Sequence, residues 1–336
     1  MGVFFAYIKG ANFTRIMGAL GIVIFHFSCY CEPLHPYLFA NANTTYGPFW
    51  VALFFALSGA CVVRSNTETS WWPFYKKRWM GIFPMFFSAY ILVFAIKILI
   101  WGCWWSAISR WTIPLTLIGM DSYFYYIQPN FCCVGEWFIG ALLVCYLLFP
   151  LLRKMVQFLP ISSAILLLAG CGFIPYFPWF DVEPWRNIWV CTTIFYLGML
   201  LAQYPAVFTS KVSLYVSGLL TMIMFIIPLP FKQYAPMEEI FYPIVSGLAG
   251  CVFLTQVGSY LESYQGMEKM MAYLGKLSYP VFLVQHIVII AVLAKCPTPD
   301  IASSIGILVY DIFLTFLLSD GIITLYSKIQ TKKSNP

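Results

Sequence analysis

Residues 13–31 read FTRIMGALGIVIFHFSCYC, an apolar run interrupted by two ionisable side chains, Arg15 and His26. A helix needs about 20 largely apolar residues to cross a membrane. Nine later runs have the same character, so the sequence predicts an all-α transmembrane bundle of about ten spans. The predicted spans are residues 13–31, 46–63, 81–101, 134–152, 161–179, 187–203, 211–230, 239–257, 277–295 and 301–326.

The overall composition supports a membrane protein and excludes other classes. Of the 336 residues, 61% are hydrophobic and 10% are charged, whereas an ordinary globular domain carries about 25% charged residues. A soluble protein of this composition could not cover its surface with polar groups. A soluble Rossmann enzyme, a nucleic-acid-binding domain and a disordered chain are therefore excluded. The net charge of +6 fits cytoplasmic Lys and Arg better than a nucleic-acid partner.

The distribution of Lys and Arg predicts the orientation of the spans. Cations concentrate in the segments that share a side with the N-terminus, as the positive-inside rule requires of a cytoplasmic N-terminus. Ten spans return the C-terminus to the cytoplasm. The chain shows no internal repeat, so residues 1–336 are predicted to form one membrane domain. The segment 102–133, rich in Trp and Tyr, is predicted to lie at the outer membrane interface.

Ionisable side chains within the predicted spans are candidate functional groups, because a charge in the lipid interior is costly. They are Arg15, His26, Lys97, Glu136, His286, Asp311 and Asp320. Arg15 and His26 are eleven residues apart, so both project from one face of a helix, roughly 16 Å apart along its axis. His286 is predicted at a depth similar to that of His26, so the two histidines can share a level inside the bundle.

These residues also have purely structural interpretations. A histidine within the membrane can simply hydrogen-bond to a neighbouring helix, and Arg15 near a helix end can extend its charge to the headgroups. Glu136 opens a span, where the helix dipole favours an acid. Asp311 and Asp320 can pair with another helix or line a polar cavity.

The loop predicted after the second span carries three adjacent cations, Lys76, Lys77 and Arg78. One interpretation is a topology anchor in contact with anionic lipid. The other is a binding site for phosphate groups, since Arg can hold an oxyanion with two hydrogen bonds. The sequence leaves both interpretations open.

Several motifs follow one another in an order typical of a known family. The pattern Arg15-x10-His26 is followed by LFFALSG at residues 53–59, by Lys77-Arg78 and by Glu136-Trp137. The stretch YLGKLSY at residues 273–279 then leads into VQH at 284–286. In this order the sequence resembles the acyltransferase 3 family of integral membrane acyltransferases, over nearly the whole chain.

The resemblance implies transfer of an acyl group, most often acetyl, from cytoplasmic acetyl-CoA to a carbohydrate hydroxyl. Acceptors in the family include lipopolysaccharide O-antigen, capsule, exopolysaccharide and peptidoglycan. The implied protein is a multi-pass component of the cell membrane, here a bacterial inner membrane. Its expected partners are acyl-CoA, a carbohydrate that can be lipid-linked, and membrane lipids, with no nucleic acid.

The resemblance also assigns roles to individual residues. Arg15 and His26 correspond to the family's essential pair, and Arg78 corresponds to its donor-associated basic motif. Two positions differ: Asn12 stands where the family often has Asp, and Gly81 stands where it commonly has a second Arg. Lys76 or Lys77 can supply that missing cation.

The remaining candidates come from the chemistry of acyl transfer. A sugar hydroxyl needs a general base, for which His is the usual residue, and Glu136 is a candidate to assist it. The tetrahedral oxyanion needs a hydrogen-bond donor, which Arg15 or Ser58 can provide; Ser58 is grouped with the donor-binding residues. No metal is predicted, and direct transfer and an acyl-histidine intermediate both remain open. The candidate acceptor-binding residues are Trp137, Tyr279 and His286.

Two other functions remain as alternatives. Ten spans with charges inside the membrane also describe a transporter of a small anionic or sugar-linked solute. Transporters often contain paired broken helices in two repeated halves, and the sequence shows no such pairing. A sensor or lipid-binding scaffold is the third possibility.

Overall fold

The structure of the protein is a computed structural model in which long helices dominate. It describes residues 8–34, 46–65, 70–101, 112–120, 124, 136–174, 183–226, 235–296 and 300–334.

The helices of this described part confirm the all-α fold class. Each of the ten predicted spans corresponds to one helix, and a six-residue helix, α4, follows the third. In chain order they are α1 Ala11–Tyr30, α2 Tyr46–Ser65, α3 Trp71–Trp101, α4 Thr112–Leu117, α5 Glu136–Phe158, α6 Pro160–Phe173, α7 Ile188–Leu201, α8 Lys211–Ile226, α9 Ala235–Leu261, α10 Met267–Leu293 and α11 Ile301–Ser334.

Seven of these helices, α1, α2, α3, α5, α9, α10 and α11, are long and apolar enough to cross a membrane. The protein is therefore a multi-pass membrane protein. Helices α6, α7 and α8 are apolar but have only 14, 14 and 16 residues, fewer than the ~17 that a full span requires. The cytoplasmic location of both termini stays a prediction.

Helix α3 corrects the prediction for the basic segment. It begins at Trp71, well before the predicted start at residue 81, so Lys76, Lys77 and Arg78 belong to a helix and not to a loop. Pro73 is tolerated because the first turn of a helix leaves its N–H groups without intrahelical partners. Pro84 lies inside the same helix, as prolines in transmembrane helices can.

The predicted interfacial segment, residues 102–133, falls mostly outside the described residues. Within it the structure describes α4, residues 118–120 and residue 124.

Polar side chains define the start of two helices. The backbone N–H of Trp189 donates to Oδ1 of Asn187, 2.9 Å away, at the start of α7. At the start of α11 the backbone N–H of Ser303 donates to Oδ1 of Asp300 at 2.8 Å. This backbone hydrogen bond favours the ionised carboxylate and lowers the pKa of Asp300.

The described residues divide into two compact units. Unit 1 comprises those within Met1–Gly21, Asn41–Phe74 and Ala141–Gly275, and unit 2 those within Ile22–Ala40, Tyr75–Gly140 and Lys276–Pro336. The division falls inside helices α1, α3, α5 and α10, which contribute residues to both units. The single domain expected for residues 1–336 stays a prediction.

Helix α2 forms the centre of unit 1, where it packs against α7 and α9. Glycines allow α2 and α7 to approach at backbone distance. A Cβ atom added to Gly59 would lie 2.0 Å from the carbonyl oxygen of Phe195, and one added to Gly198 would lie 2.1 Å from that of Ala56. Small residues at such crossings allow close packing between membrane helices.

Two buried polar contacts join the start of α1 to the end of α9 within unit 1. The backbone N–H of Gly10 donates to Oε2 of Glu262 at 2.8 Å. One turn further along α1, the hydroxyls of Thr14 and Thr255 lie 3.0 Å apart. Such contacts between helices fix their relative rotation, because each polar group needs its partner inside the bundle.

Unit 2 is built around an apolar cluster at the end of α1. Phe27, Cys31 and Leu34 pack with Ile289 of α10 and Leu308 of α11. The cluster therefore joins the chain segment that carries His26 to the two C-terminal helices.

We expect Gly198→Ala to lower the melting temperature of the purified protein, because its new methyl group would overlap the carbonyl oxygen of Ala56. Overpacking of this kind costs about 1–3 kcal/mol. Gly306→Ala in α11 is the matched control, since an added Cβ meets nothing within 4 Å there. Equal melting temperatures for the two variants would contradict the close approach of α2 and α7.

Candidate active site

Helix α1 runs without interruption from Ala11 to Tyr30. Arg15 and His26 therefore lie in one helix, as their spacing predicts. Arg15 belongs to unit 1 and His26 to unit 2.

The imidazole rings of His26 and His286 contact each other within unit 2. Their centroids are 4.3 Å apart and their planes are inclined by 37°. His286 is 9% exposed and His26 is half-buried. The ring of Tyr30 meets His286 edge-on, with centroids 6.4 Å apart. Two imidazoles at this distance form a polar contact between α1 and α10.

The sequence of α10 explains why His286 is directed inward. Residues 280–289 are all buried, so this part of the helix is surrounded by protein.

Tyr279, seven residues before His286, projects from nearly the same face. Its hydroxyl donates to the backbone carbonyl of Ile82 in α3 at 3.3 Å. This bond ties α10 to α3 within unit 2.

Arg15 is held by two side chains in unit 1. Its Nη1 donates to Oδ1 of Asn12 at 2.9 Å, and its Nη2 donates to Sγ of Cys61 in α2 at 3.4 Å. These bonds fix the guanidinium of a half-buried side chain. Ser58, the other candidate in α2, is half-buried in the same unit.

The contacts of Arg15 include residues that sequence reasoning did not identify. Asn12 stood out only as a departure from the family pattern, although its place three residues before Arg15 puts the two side chains on adjacent turns. Cys61 carried no signal, because Cys within an apolar run reads as a small hydrophobe. Gly275 appears in the sequence analysis only within the stretch YLGKLSY at residues 273–279. A Cβ added there would lie 2.7 Å from Oδ1 of Asn12.

The three candidate donor-binding cations lie in unit 2, near the start of α3. Lys76 is exposed, Lys77 and Arg78 are half-buried, and Nε of Arg78 is buried. Successive residues of a helix point about 100° apart, so the three charges face different directions. Trp79, the residue after Arg78, stacks on Phe83, with ring centroids 3.7 Å apart.

Helix α5 begins at Glu136, but the side chain of Glu136 lies outside the part that the structure describes. Trp137 is 8% exposed. The next residue, Phe138, meets Phe282 of α10 with ring centroids 5.2 Å apart. The start of α5 therefore lies beside α10 within unit 2.

An apolar crevice of about 670 Å³ opens between α3, α10 and α11 in unit 2. Its lining is almost entirely aliphatic, with Lys295 as its charged member. None of the predicted site residues lines it.

Among the described residues no group of three His, Cys, Asp or Glu side chains could hold a metal ion, and the absence of a metal from the reaction stays a prediction.

Comparison with protein families gives one match. The acyltransferase 3 family model, described as an acyltransferase domain, matches residues 8–322, nearly the whole chain. No curated protein and no solved structure matches the sequence.

We expect Tyr279→Phe to destabilise the protein by about 0.5–1.5 kcal/mol, the usual contribution of one intramolecular hydrogen bond. The phenylalanine keeps the ring and loses only the donor to Ile82. Thermal unfolding of the purified protein measures this loss. Tyr310→Phe in α11, at a tyrosine that is 49% exposed, is the control and should leave the melting temperature unchanged. A Tyr279→Phe variant as stable as the wild type would contradict the structural role of this hydroxyl.

Proposed function

The chain belongs to the acyltransferase 3 family, and on this premise we propose that it is a membrane O-acetyltransferase. In this proposal it moves an acetyl group from acetyl-CoA to a hydroxyl of a cell-surface or exported carbohydrate. Capsule, exopolysaccharide, O-antigen and peptidoglycan are the acceptor classes. The family membership favours this enzyme over a transporter.

The observation that carries the proposal is the contact between the rings of His26 and His286. A hydroxyl is a poor nucleophile at neutral pH, and a positioned imidazole is the usual base that activates it. A second imidazole 4.3 Å away can hold the first in orientation or take part in the movement of its proton. His286 thereby gains a role beside His26 as well as the acceptor contact expected from the sequence.

The proposed reaction carries one proton from the acceptor hydroxyl through His26 to the sulfur of CoA. His26 takes the proton of the acceptor hydroxyl while the oxygen attacks the thioester carbonyl. The tetrahedral intermediate then collapses, the carbon–sulfur bond breaks, and the CoA thiolate receives the proton from His26. The developing oxyanion needs a hydrogen-bond donor or cation. Arg15 and Ser58, the candidates from the sequence, belong to unit 1, and their role stays a prediction. A route through an acetyl-histidine remains the alternative to direct transfer.

Charge complementarity supports Lys76, Lys77 and Arg78 as the donor-binding residues. CoA carries phosphate groups, which a guanidinium can bind through two parallel hydrogen bonds. Arg78 has the more restricted surroundings, because its Nε is buried, whereas Lys76 is exposed. We propose Arg78 as the principal phosphate contact and the two lysines as supporting charges.

The acceptor is proposed to meet Glu136 and Trp137 at the start of α5. A carboxylate accepts hydrogen bonds from sugar hydroxyls, and an aromatic face packs against the apolar face of a sugar ring. An approach from the extracytoplasmic side follows from the predicted orientation of the helices.

We expect His26→Ala to reduce acetyl transfer by about 10²–10⁴-fold, the usual contribution of a positioned base. The assay follows radiolabelled acetyl groups from acetyl-CoA into carbohydrate extracted from the same cells, using membranes that contain equal amounts of each variant. Ser28→Ala is the control on the same helix, since the Ser28 hydroxyl bonds only the Phe25 carbonyl of its own helix among the contacts described. Transfer by His26→Ala within tenfold of wild type would remove His26 from the chemistry.

We expect Arg78→Ala to raise the apparent KM for acetyl-CoA by about tenfold or more, because a charged hydrogen bond contributes about 1.5–3 kcal/mol. Arg186→Ala is the control. Its guanidinium pairs with Glu183 at 3.1 Å and lies over the ring of Trp185, away from α3 in the sequence. The triple substitution of Lys76, Lys77 and Arg78 by Ala measures any compensation by the lysines. Equal KM values for the Arg78 and Arg186 variants would contradict the donor site.

A further inference from the structure

Helix α11 presents a line of polar side chains on its buried face. Ser304, Asp311, Thr315 and Ser319 are all fully buried, at spacings of seven, four and four residues, which place them on one side of a helix. Phe313 and Leu317, at 62% and 57% exposure, face outward. The polar line therefore points into protein and not into lipid.

Two members of this line are satisfied by their own helix. The Ser304 hydroxyl donates to the carbonyl of Asp300 at 2.6 Å, and the Ser319 hydroxyl donates to the carbonyl of Thr315 at 2.7 Å. Asp311 and Thr315 differ from them. The two carboxyl oxygens of Asp311 have no hydrogen-bond partner among the described residues, and the Thr315 hydroxyl has none there either. Unsatisfied polar groups at such a depth are costly, and an acid there marks a candidate functional residue.

The neighbours of α11 place Asp311 in the layer of the two histidines. Leu308, one turn before Asp311 on the same face, packs in the cluster with Phe27 of α1 and Ile289 of α10. His26 directly precedes Phe27 in the chain. His286 is one turn before Ile289.

The directions of the helices decide on which side of this cluster Asp311 lies. Helix α10 has 27 residues and is about 40 Å long. Seven residues, 294–300, connect the two helices and can reach at most about 25 Å. This is too short to return the chain to the start of α10. Helix α11 therefore runs antiparallel to α10. Because the two helices are antiparallel, Asp311 is displaced from Leu308 in the same direction along the bundle as His286 is from Ile289. The displacement is about 4.5 Å in each case.

From this arrangement we propose that Asp311 is a positioning residue for the pair His26 and His286, with Thr315 in support. The inference rests on the proposed acetyl transfer. When His26 takes the proton of the acceptor hydroxyl, a positive charge arises on the histidine pair inside the membrane. The Asp311 carboxylate, which bonds neither imidazole directly, stabilises that charge through one bridging water, as an aspartate stabilises the imidazolium of a catalytic triad. The proton passes on to the CoA thiolate and Asp311 keeps none.

Three substitutions of Asp311 separate this role from a structural one. We expect Asp311→Asn to lower kcat at least about tenfold, and up to ~10⁴-fold, with the KM for acetyl-CoA unchanged. Asp311→Glu should recover part of the lost kcat, because it restores the carboxylate. Asp311→Leu should be inactive yet at least as stable to heat as the wild type, since an apolar side chain removes an unsatisfied buried acid. A structural residue would instead lose stability and activity together.

Tyr310→Phe, at an exposed tyrosine of the same helix, is the control and should keep kcat within about twofold of wild type. The inference is overturned if Asp311→Asn also stays within twofold, or if its kcat falls only in proportion to its loss of folded protein. Failure of the proposed function has a different signature: the wild type itself would transfer no acetyl group to carbohydrate.

Discussion

The cost of placing a polar group inside a membrane is the constraint on which this structure depends. A chain with 10% charged residues has few charged groups to place. Several hydroxyls bond the helix that carries them, as Ser246 does with the carbonyl of Tyr242. The guanidinium of Arg15 bonds Asn12 of its own helix and Cys61 of α2. The second of these bonds ties α1 to α2.

The same constraint gives the histidine pair its significance. His26 and His286 come from two helices and meet ring to ring, within a unit whose other core contacts are mostly apolar. A charge on a buried imidazole interacts strongly with its neighbours because the local dielectric is low, so neighbouring side chains affect its stability. This dependence connects the histidine pair with the buried acid of α11 and is consistent with acyl transfer to a hydroxyl.

The scaffold of unit 1 shows how the bundle achieves close packing. Gly59 and Gly198 bring the backbones of α2 and α7 together, and buried contacts such as Gly10 with Glu262 fix the start of α1. Membrane helices gain little from the hydrophobic effect when they associate, so such close contacts and hydrogen bonds carry the association. Arg15 lies one turn beyond this fixed start and thereby acquires a defined position.

The sequence by itself determined the ten helices, their membrane character, and the presence of Arg15 and His26 on one helix. These features depend on local hydrophobicity and on the 3.6-residue period, which one chain displays in full. The contact between His26 and His286, the partners of Arg15 and the burial of Asp311 were decided by the tertiary structure. Helices that are apolar on all sides carry no periodic signal for the face they present to a neighbour. Which side chains meet therefore depends on helix rotation and pairing, and these are set by packing across residues far apart in the chain.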